Sequence, residues 1–337
     1  MVRGRLVSGP PAKTRTIARR ARRALDESMR TLTLAGLVLA MSAWSAVSPS
    51  VRWGDAGHRL ISRTAAEHLP TEMPAFMRTA VDRLAYLGPE PDRWRRDSEY
   101  TLKNAQEPDH YINLERLPEA FDFPRGRYEF YASLERLRER VVTYGGDPDE
   151  LSPDQMGLQP WISIEVYDRL KVAFREYRAL RAEGLPTDLV EGNAILYAGW
   201  LGHYVADGAQ PQHTTIHYDG WIGPNPNGYD DGRGSHHRFE SSFIERNIAS
   251  LDPVPGMRPP RRLTDPFDDY LAFLWDSHAR VEELYRIDRD RGFDANASAG
   301  SHEEALAFTR GRLVAGSQML VDLWFTAWLE SEPESEG

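Results

Sequence analysis

From residue 53 onward apolar positions recur three and four apart in stretch after stretch. That is the period of an amphipathic helix, not the two-residue alternation of a strand. The pattern predicts helices over 58–69, 72–84, 129–144, 162–182, 189–207, 237–248, 267–286 and 303–329. No hairpin dipeptide sits between alternating runs, and no strand–helix–strand rhythm develops. The expectation is an all-α domain without internal repeats. Three stretches fall outside the helical period: 88–110, rich in proline and charge; the connector 145–159; and 208–235, crowded with Gly, Asn, Asp and Pro. A loop as long as the last is usually functional in a compact domain.

Composition narrows the picture. The chain has 337 residues, 41 % hydrophobic and 27 % charged. This is an ordinary globular balance, long enough to bury a substantial core. Cysteine is absent, which excludes disulfides, thiolate zinc fingers, iron–sulfur clusters and a cysteine nucleophile. Any metal must be held by His, Asp and Glu. The net charge is −10, but residues 1–28 alone carry +6, so the rest carries −16. Such a body binds duplex nucleic acid poorly, because phosphate neutralisation by Lys and Arg supplies that affinity. A phosphate ester stays within reach if bound metal supplies the positive charge.

The apolar run 32–44 follows Met29-Arg30 and precedes small residues. It is too short to span a bilayer comfortably and has the layout of a signal peptide. Residues 1–52 therefore read as an N-terminal extension and signal peptide starting at Met29, with the mature protein exported to the periplasm or beyond. The working domain is expected over 53–330. The acidic tail, 331–337 with Glu330 before it, is expected to be frayed.

The ten histidines are unevenly spread. His203 and Asp207 stand four apart at the end of a predicted helix, which places both on one face. His236 and Glu240 repeat that spacing after the long loop, and His213 lies between the two pairs. One such pair is commonplace on a surface helix. Two pairs bracketing a third histidine and a long loop suggest a metal site. Upstream stand His110 in Pro-Asp-His-Tyr-Ile-Asn, Asp92 and Arg95 in Pro-Asp-Arg-Trp-Arg, and Trp53 and His58 in Trp-Gly-Asp-Ala-Gly-His. His68, His278 and His302 lack such partners and read as ordinary histidines. His217 and His237 are ambiguous neighbours, and Asp288 lies outside every motif.

Taken in order, these motifs resemble the secreted zinc-dependent single-strand nucleases of the S-one and P-one type, and their relatives the trinuclear-zinc phospholipases C. The resemblance runs from Trp53 to about Glu245 and implies an all-α zinc-dependent phosphodiesterase domain with three Zn²⁺ ions in a cleft. It implies one zinc on Asp92, His110, His203 and Asp207. A second would share Asp207 and take His58 with the amino nitrogen and carbonyl of Trp53. A third would sit on His213, His236 and Glu240. N and O ligands of this kind suit zinc. Asp92 would orient the attacking water, and Arg95 would contact non-bridging phosphate oxygens. Tyr111 stands where the nucleases stack a base, and Asn113 where they read a base edge. Expected partners are single-stranded nucleic acid or a nucleotide. Phospholipid is the alternative, which Glu240 matches better than the Asp usual in the nucleases. A zinc-binding protein without turnover is the third reading. No protein partner is inferred.

Overall fold

The computed structural model describes residues 55–143, 145–248 and 255–333, all within one compact unit. Trp53, the apolar run 32–44 and the signal peptide expected around it lie outside the described residues. Among the described residues the protein is all-α: there is no named strand, and one isolated bridge pairs Tyr218 with Gly220. No described helix is long and apolar enough to cross a membrane.

The longer helices are α1 (Asp55–Glu67), α2 (Val81–Leu87), α3 (Tyr100–Gln106), α4 (Arg127–Thr143), α5 (Gln159–Ala182), α6 (Asp188–Ala209), α7 (Pro266–His278), α8 (Val281–Arg289) and α9 (Ala299–Leu329). Helix α6 runs through the centre, packed against α1, α2, α5, α7 and α9. Its small residues permit this. A Cβ at Gly199 would sit 2.3 Å from the Cβ of Leu87, so only glycine lets α2 approach so closely. Around α6 one continuous core buries Trp161, Tyr204, Tyr270, Phe243 and Trp324.

Two predicted helices are broken. The stretch 72–84 yields a single turn, Ala75–Arg78, and then α2; the stretch 267–286 yields α7 and α8. In the first, the Thr79 hydroxyl donates to the carbonyls of Ala75 and Phe76 at 3.0 and 3.3 Å and closes the turn. In both, the buried apolar period continues through the break, as in Tyr270, Leu274, Val281 and Leu284. Hydrophobic patterning alone therefore cannot mark it. The helix expected over 237–248 is irregular: a turn Ser235–His237, a π-helical stretch Arg238–Phe243 and a turn Ile244–Asn247.

Two expectations are corrected. The stretch 88–110 is not devoid of helix, because α3 lies inside it, flanked by 3-10 turns Asp97–Glu99 and Glu107–His110. Helix α3 buries only Gln106, so it carries no apolar period to read. The tail is docked as far as Ser331. Glu330 accepts from the Tyr167 hydroxyl at 2.7 Å, and Ser331 is buried, accepting from Arg178 Nε at 2.9 Å. Residues 334–337 lie outside the described residues.

Candidate metal centre

Helix α6 sets the first half of the site. His203 and Asp207 face one way, both buried, with His203 Nε2 3.2 Å from Asp207 Oδ2. The 3-10 turn Glu107–His110 brings His110 Nδ1 within 3.0 Å of the same oxygen and 3.0 Å of His203 Nε2. Helix α1 brings His58 Nε2 to 3.3 Å from Asp207 Oδ1, its ring stacked on His203 with centroids 4.2 Å apart. Asp92, at the cleft edge, has Oδ1 3.9 Å from both His110 and His203. Asp207 is thus the hub of three histidines drawn from three segments, with Asp92 closing the group from a fourth.

The second half adjoins it. His213 Nε2 lies 3.3 Å from Glu240 Oε1, His236 Nε2 contacts Glu240 Oε2, and the two imidazole rings are 5.1 Å apart. His213 Nδ1 is 3.7 Å from Asp207 Oδ1 and links the halves. Among the described residues, three groups offer donors close enough to share a metal ion: His58, Asp92 and His203; His110, His203 and Asp207; His213, His236 and Glu240.

The outer ring nitrogens fix how these imidazoles face. His203 Nδ1 donates to the carbonyl of Gly88 at 2.9 Å, His213 Nδ1 to that of His110 at 2.7 Å, and His236 Nδ1 to that of Tyr218 at 2.9 Å. A carbonyl oxygen can only accept, so each outer nitrogen carries the proton and each neutral ring turns an Nε2 lone pair inward. Gly88 reaches His203 because it has no side chain: a Cβ there would lie 2.8 Å from the carbonyl oxygen of His58. Such outer hydrogen bonds orient metal-ligating histidines.

Lone pairs and carboxylates facing one another can share a cation or a proton, and the proton affinities reflect their crowding. Burial alone would raise Asp207. The charged forms of His203 and His213, with hydrogen bonds from His110 and His203, instead hold it well below the usual carboxylate range. Asp92 behaves the same way, with burial outweighed by His203, His110 and His58. Burial drives His110 down to about 4, against Asp207. Burial would also lower His213, but Asp207 and Glu240 carry it up to about 10. The centre can hold a divalent cation in place of those protons.

Above it opens a cleft of about 950 Å³, lined among others by Arg95, Tyr111, Asn113, His213, Tyr218 and His237. Arg95 lies between Asp92 Oδ1 at 3.5 Å and Glu107 Oε1 at 3.1 Å. Burial disfavours its charge, yet those carboxylates raise its pKa further. Tyr111 is half-buried, its hydroxyl donating to the carbonyl of Asp154. Asn113 Nδ2 donates to the carbonyl of Gln155 at 2.6 Å. Gly157 backs this wall in the left-handed region at φ 83°, where a Cβ would overlap the carbonyl oxygen of Tyr111.

Of the remaining histidines, His237 lines the cleft and the other four take part in none of the three donor groups. His68 and His278 bond to the carbonyls of Thr64 and Thr214, and His217 stacks on Trp221 with centroids 3.9 Å apart. His302 packs against Phe243. Supporting residues had no motif to announce them. Gln210 Nε2 donates to Glu240 Oε2 at 2.7 Å, and Asp219 accepts from the backbone of Gly234 and His236 at 2.7 and 3.2 Å. Asp288 is no bystander: it is buried and accepts from Arg238 Nε and Nη2 at 2.9 and 2.7 Å, while Asp230 takes Nη2 at 2.6 Å. Arg238 opens the π-helical stretch that carries Glu240. The sequence matches no family model, and no curated protein is similar enough to it to count as a relative.

Proposed function

We propose that the chain is an exported zinc-dependent phosphodiesterase that holds three zinc ions in this cleft and hydrolyses single-stranded nucleic acid or 3′-nucleotides. The observation that carries the reading is the spacing of the inward donors. Ligand atoms around a four-coordinate zinc stand about 3.3 Å apart. Within the inner group of His58, Asp92, His110, His203 and Asp207, and between His213 and Glu240, inward N and O atoms lie 3.0–3.9 Å apart. When bound, zinc supplies a Lewis acid that offsets phosphate charge and makes water acidic enough to attack at neutral pH. His58, Asp92, His110, His203 and Asp207 would hold the paired inner ions, and His213, His236 and Glu240 the outer one.

The chain's own groups do the rest. Asp92 sits partly exposed at the cleft edge, where its carboxylate accepts a proton from the attacking water and aims its lone pair at phosphorus. Arg95, kept charged by Asp92 and Glu107, donates to the non-bridging oxygens as they gain charge. Tyr111 offers a flat wall to a base. Asn113 gives one amide N–H to the carbonyl of Gln155 and keeps a second N–H and its Oδ1 for a substrate's base edge.

One observation favours the phospholipase reading. Tyr218 and Ile222 are 51 % and 52 % exposed, Tyr218 on the cleft itself, and an exposed aromatic–aliphatic pair suits a lipid surface. Elemental analysis with parallel assays on single-stranded DNA, RNA, 3′-nucleotides and phosphatidylcholine separates the readings. The expected result is two to three zinc ions per chain with hydrolysis of a nucleic-acid substrate. Hydrolysis of phosphatidylcholine alone selects the phospholipase, zinc without any hydrolysis selects the binder, and no more than one zinc sinks the trinuclear reading.

A further inference from the structure

Most of the outer hydrogen bonds that aim the imidazoles end on backbone carbonyls. His110 is the exception. It turns Nδ1 toward Asp207, and its Nε2 lies 2.9 Å from the side-chain oxygen Oε1 of Gln106. Gln106 is buried at the end of α3 with 5 % of its surface exposed. Its Nε2 lies 3.4 Å from the carbonyl oxygen of Pro91. That contact sets the amide: the oxygen of Pro91 can only accept, so the amide nitrogen faces Pro91 and the amide oxygen faces His110. The amide oxygen can only accept, and the same holds for Asp207 Oδ2, 3.0 Å from Nδ1 on the other side of the ring; a cation that takes the Nδ1 lone pair therefore leaves the proton of His110 on Nε2, where Gln106 accepts it. Pro91 directly precedes Asp92. One amide therefore spans two ligand-bearing segments, fixing the tautomer of one ligand and the backbone beside another.

We propose that Gln106 is a positioning residue for the inner metal site: by accepting from His110 Nε2–H and donating to the carbonyl of Pro91, it holds His110 and Asp92 in ligating register. This rests on the zinc reading above. Gln106 touches neither metal nor substrate and acts through its neighbours. Being neutral, it leaves His110 a neutral imidazole donor. A carboxylate in its place would push more electron density onto Nδ1. Loss of an outer partner of this kind weakens metal binding by about 10–100-fold.

The test titrates zinc into metal-stripped full-length protein against a chromogenic chelator, for wild type, Gln106→Leu and Gln106→Glu. The Leu variant keeps the bulk but cannot accept; the Glu variant restores the acceptor. We expect Gln106→Leu to bind its inner zinc about 10–100-fold more weakly, with the outer site unchanged. Gln106→Glu, which keeps the acceptor for His110 but loses the donor to Pro91, should bind more tightly than Gln106→Leu. Equal affinity in all three overturns the proposal. Equal weakening of both variants also overturns it, because the acceptor would then be irrelevant. A wild type that binds no more than one zinc overturns the metal reading instead. Nitrogen-15 correlation spectra of the zinc-loaded wild type give a readout independent of variant folding: His110 should carry its proton on Nε2, and a protonated Nδ1 would overturn the assignment.

Discussion

The centre repeats one motif, His-x-x-x-acid, in two unlike settings. His203 and Asp207 ride a 22-residue helix through the middle of the core and are almost wholly buried. His236 and Glu240 straddle the start of a π-helical stretch behind a long loop, and His236 is 27 % exposed. The first pair is aligned by core packing, which fixes its spacing as a by-product of folding. The second has no long helix beneath it and is fastened by polar contacts: Arg238 to Asp288 and Asp230, Asp219 to the turn, and Gln210 to Glu240. The same spacing is thus made rigid by apolar burial in one place and by ion pairs in the other. π-helical turns are frequent at functional sites, and this one places Glu240 against both His213 and His236.

The contrast can be broken most forcefully at Asp207. Asp207→Asn should abolish zinc at the inner sites and cut phosphodiesterase activity by more than about a hundredfold, beyond what a supporting residue costs. It should also lower the Tm of the metal-stripped protein by about 5 °C, since a buried charge is lost from among its partners. Exposed Glu303→Gln serves as the control, and equal zinc content in the two variants would refute the hub role. His236→Ala should remove a single zinc and leave the metal-stripped Tm within about 2 °C of wild type. A large thermal loss there would mean the outer pair is as structural as the inner. Asp288→Asn should be milder still: by loosening Arg238 it weakens the outer zinc about tenfold and spares the inner ions. Uniform weakening at both halves would contradict the division.

The smallest effect is the pH dependence of the metal-stripped protein. His213 in the fold rises to about 10 from an ordinary 6.5, so its stabilisation is complete below 6.5 and is lost as pH climbs toward 10. His110 falls to about 4, so the unfolded chain takes that proton first and stability drops between 6.5 and 4. Thermal melts in chelator should therefore peak near pH 6.5 and lose a few degrees to either side. With zinc bound His213 is already neutral, and the alkaline loss should vanish. Chelated melts that stay flat from 6.5 to 10 would count against the clustering of these groups.

The all-α class was legible because buried apolar positions dominate the long helices, as along α5 and α6. The donor set was legible as residue types at repeated spacings. Three things were hidden, each for a physical reason. The breaks before Val81 and Val281 preserve the apolar period. Helix α3 buries an amide and no apolar side chain, so its pattern is silent. Gln106 nonetheless lies four residues before His110, a spacing that would have spoken had the segment been read as helical. The partnership of Arg238 with Asp288 joins residues fifty positions apart, a separation no local pattern encodes. Gly88 contributes only a carbonyl, and backbone donors leave no mark on residue identity.

The locked outer nitrogens of His203, His213 and His236 have a consequence for proton release. Their N–H groups point at carbonyl oxygens that accept and never supply protons, so these protons remain whether metal is present or absent. Every proton shed by these rings on loading must come from an inward nitrogen. Calorimetric zinc titrations in buffers of different ionisation enthalpy would count those protons directly. Because loading releases protons, acid opposes it. If the protein works outside the cell, as proposed, the acidity of its surroundings then acts as an external control on how much of the population carries metal.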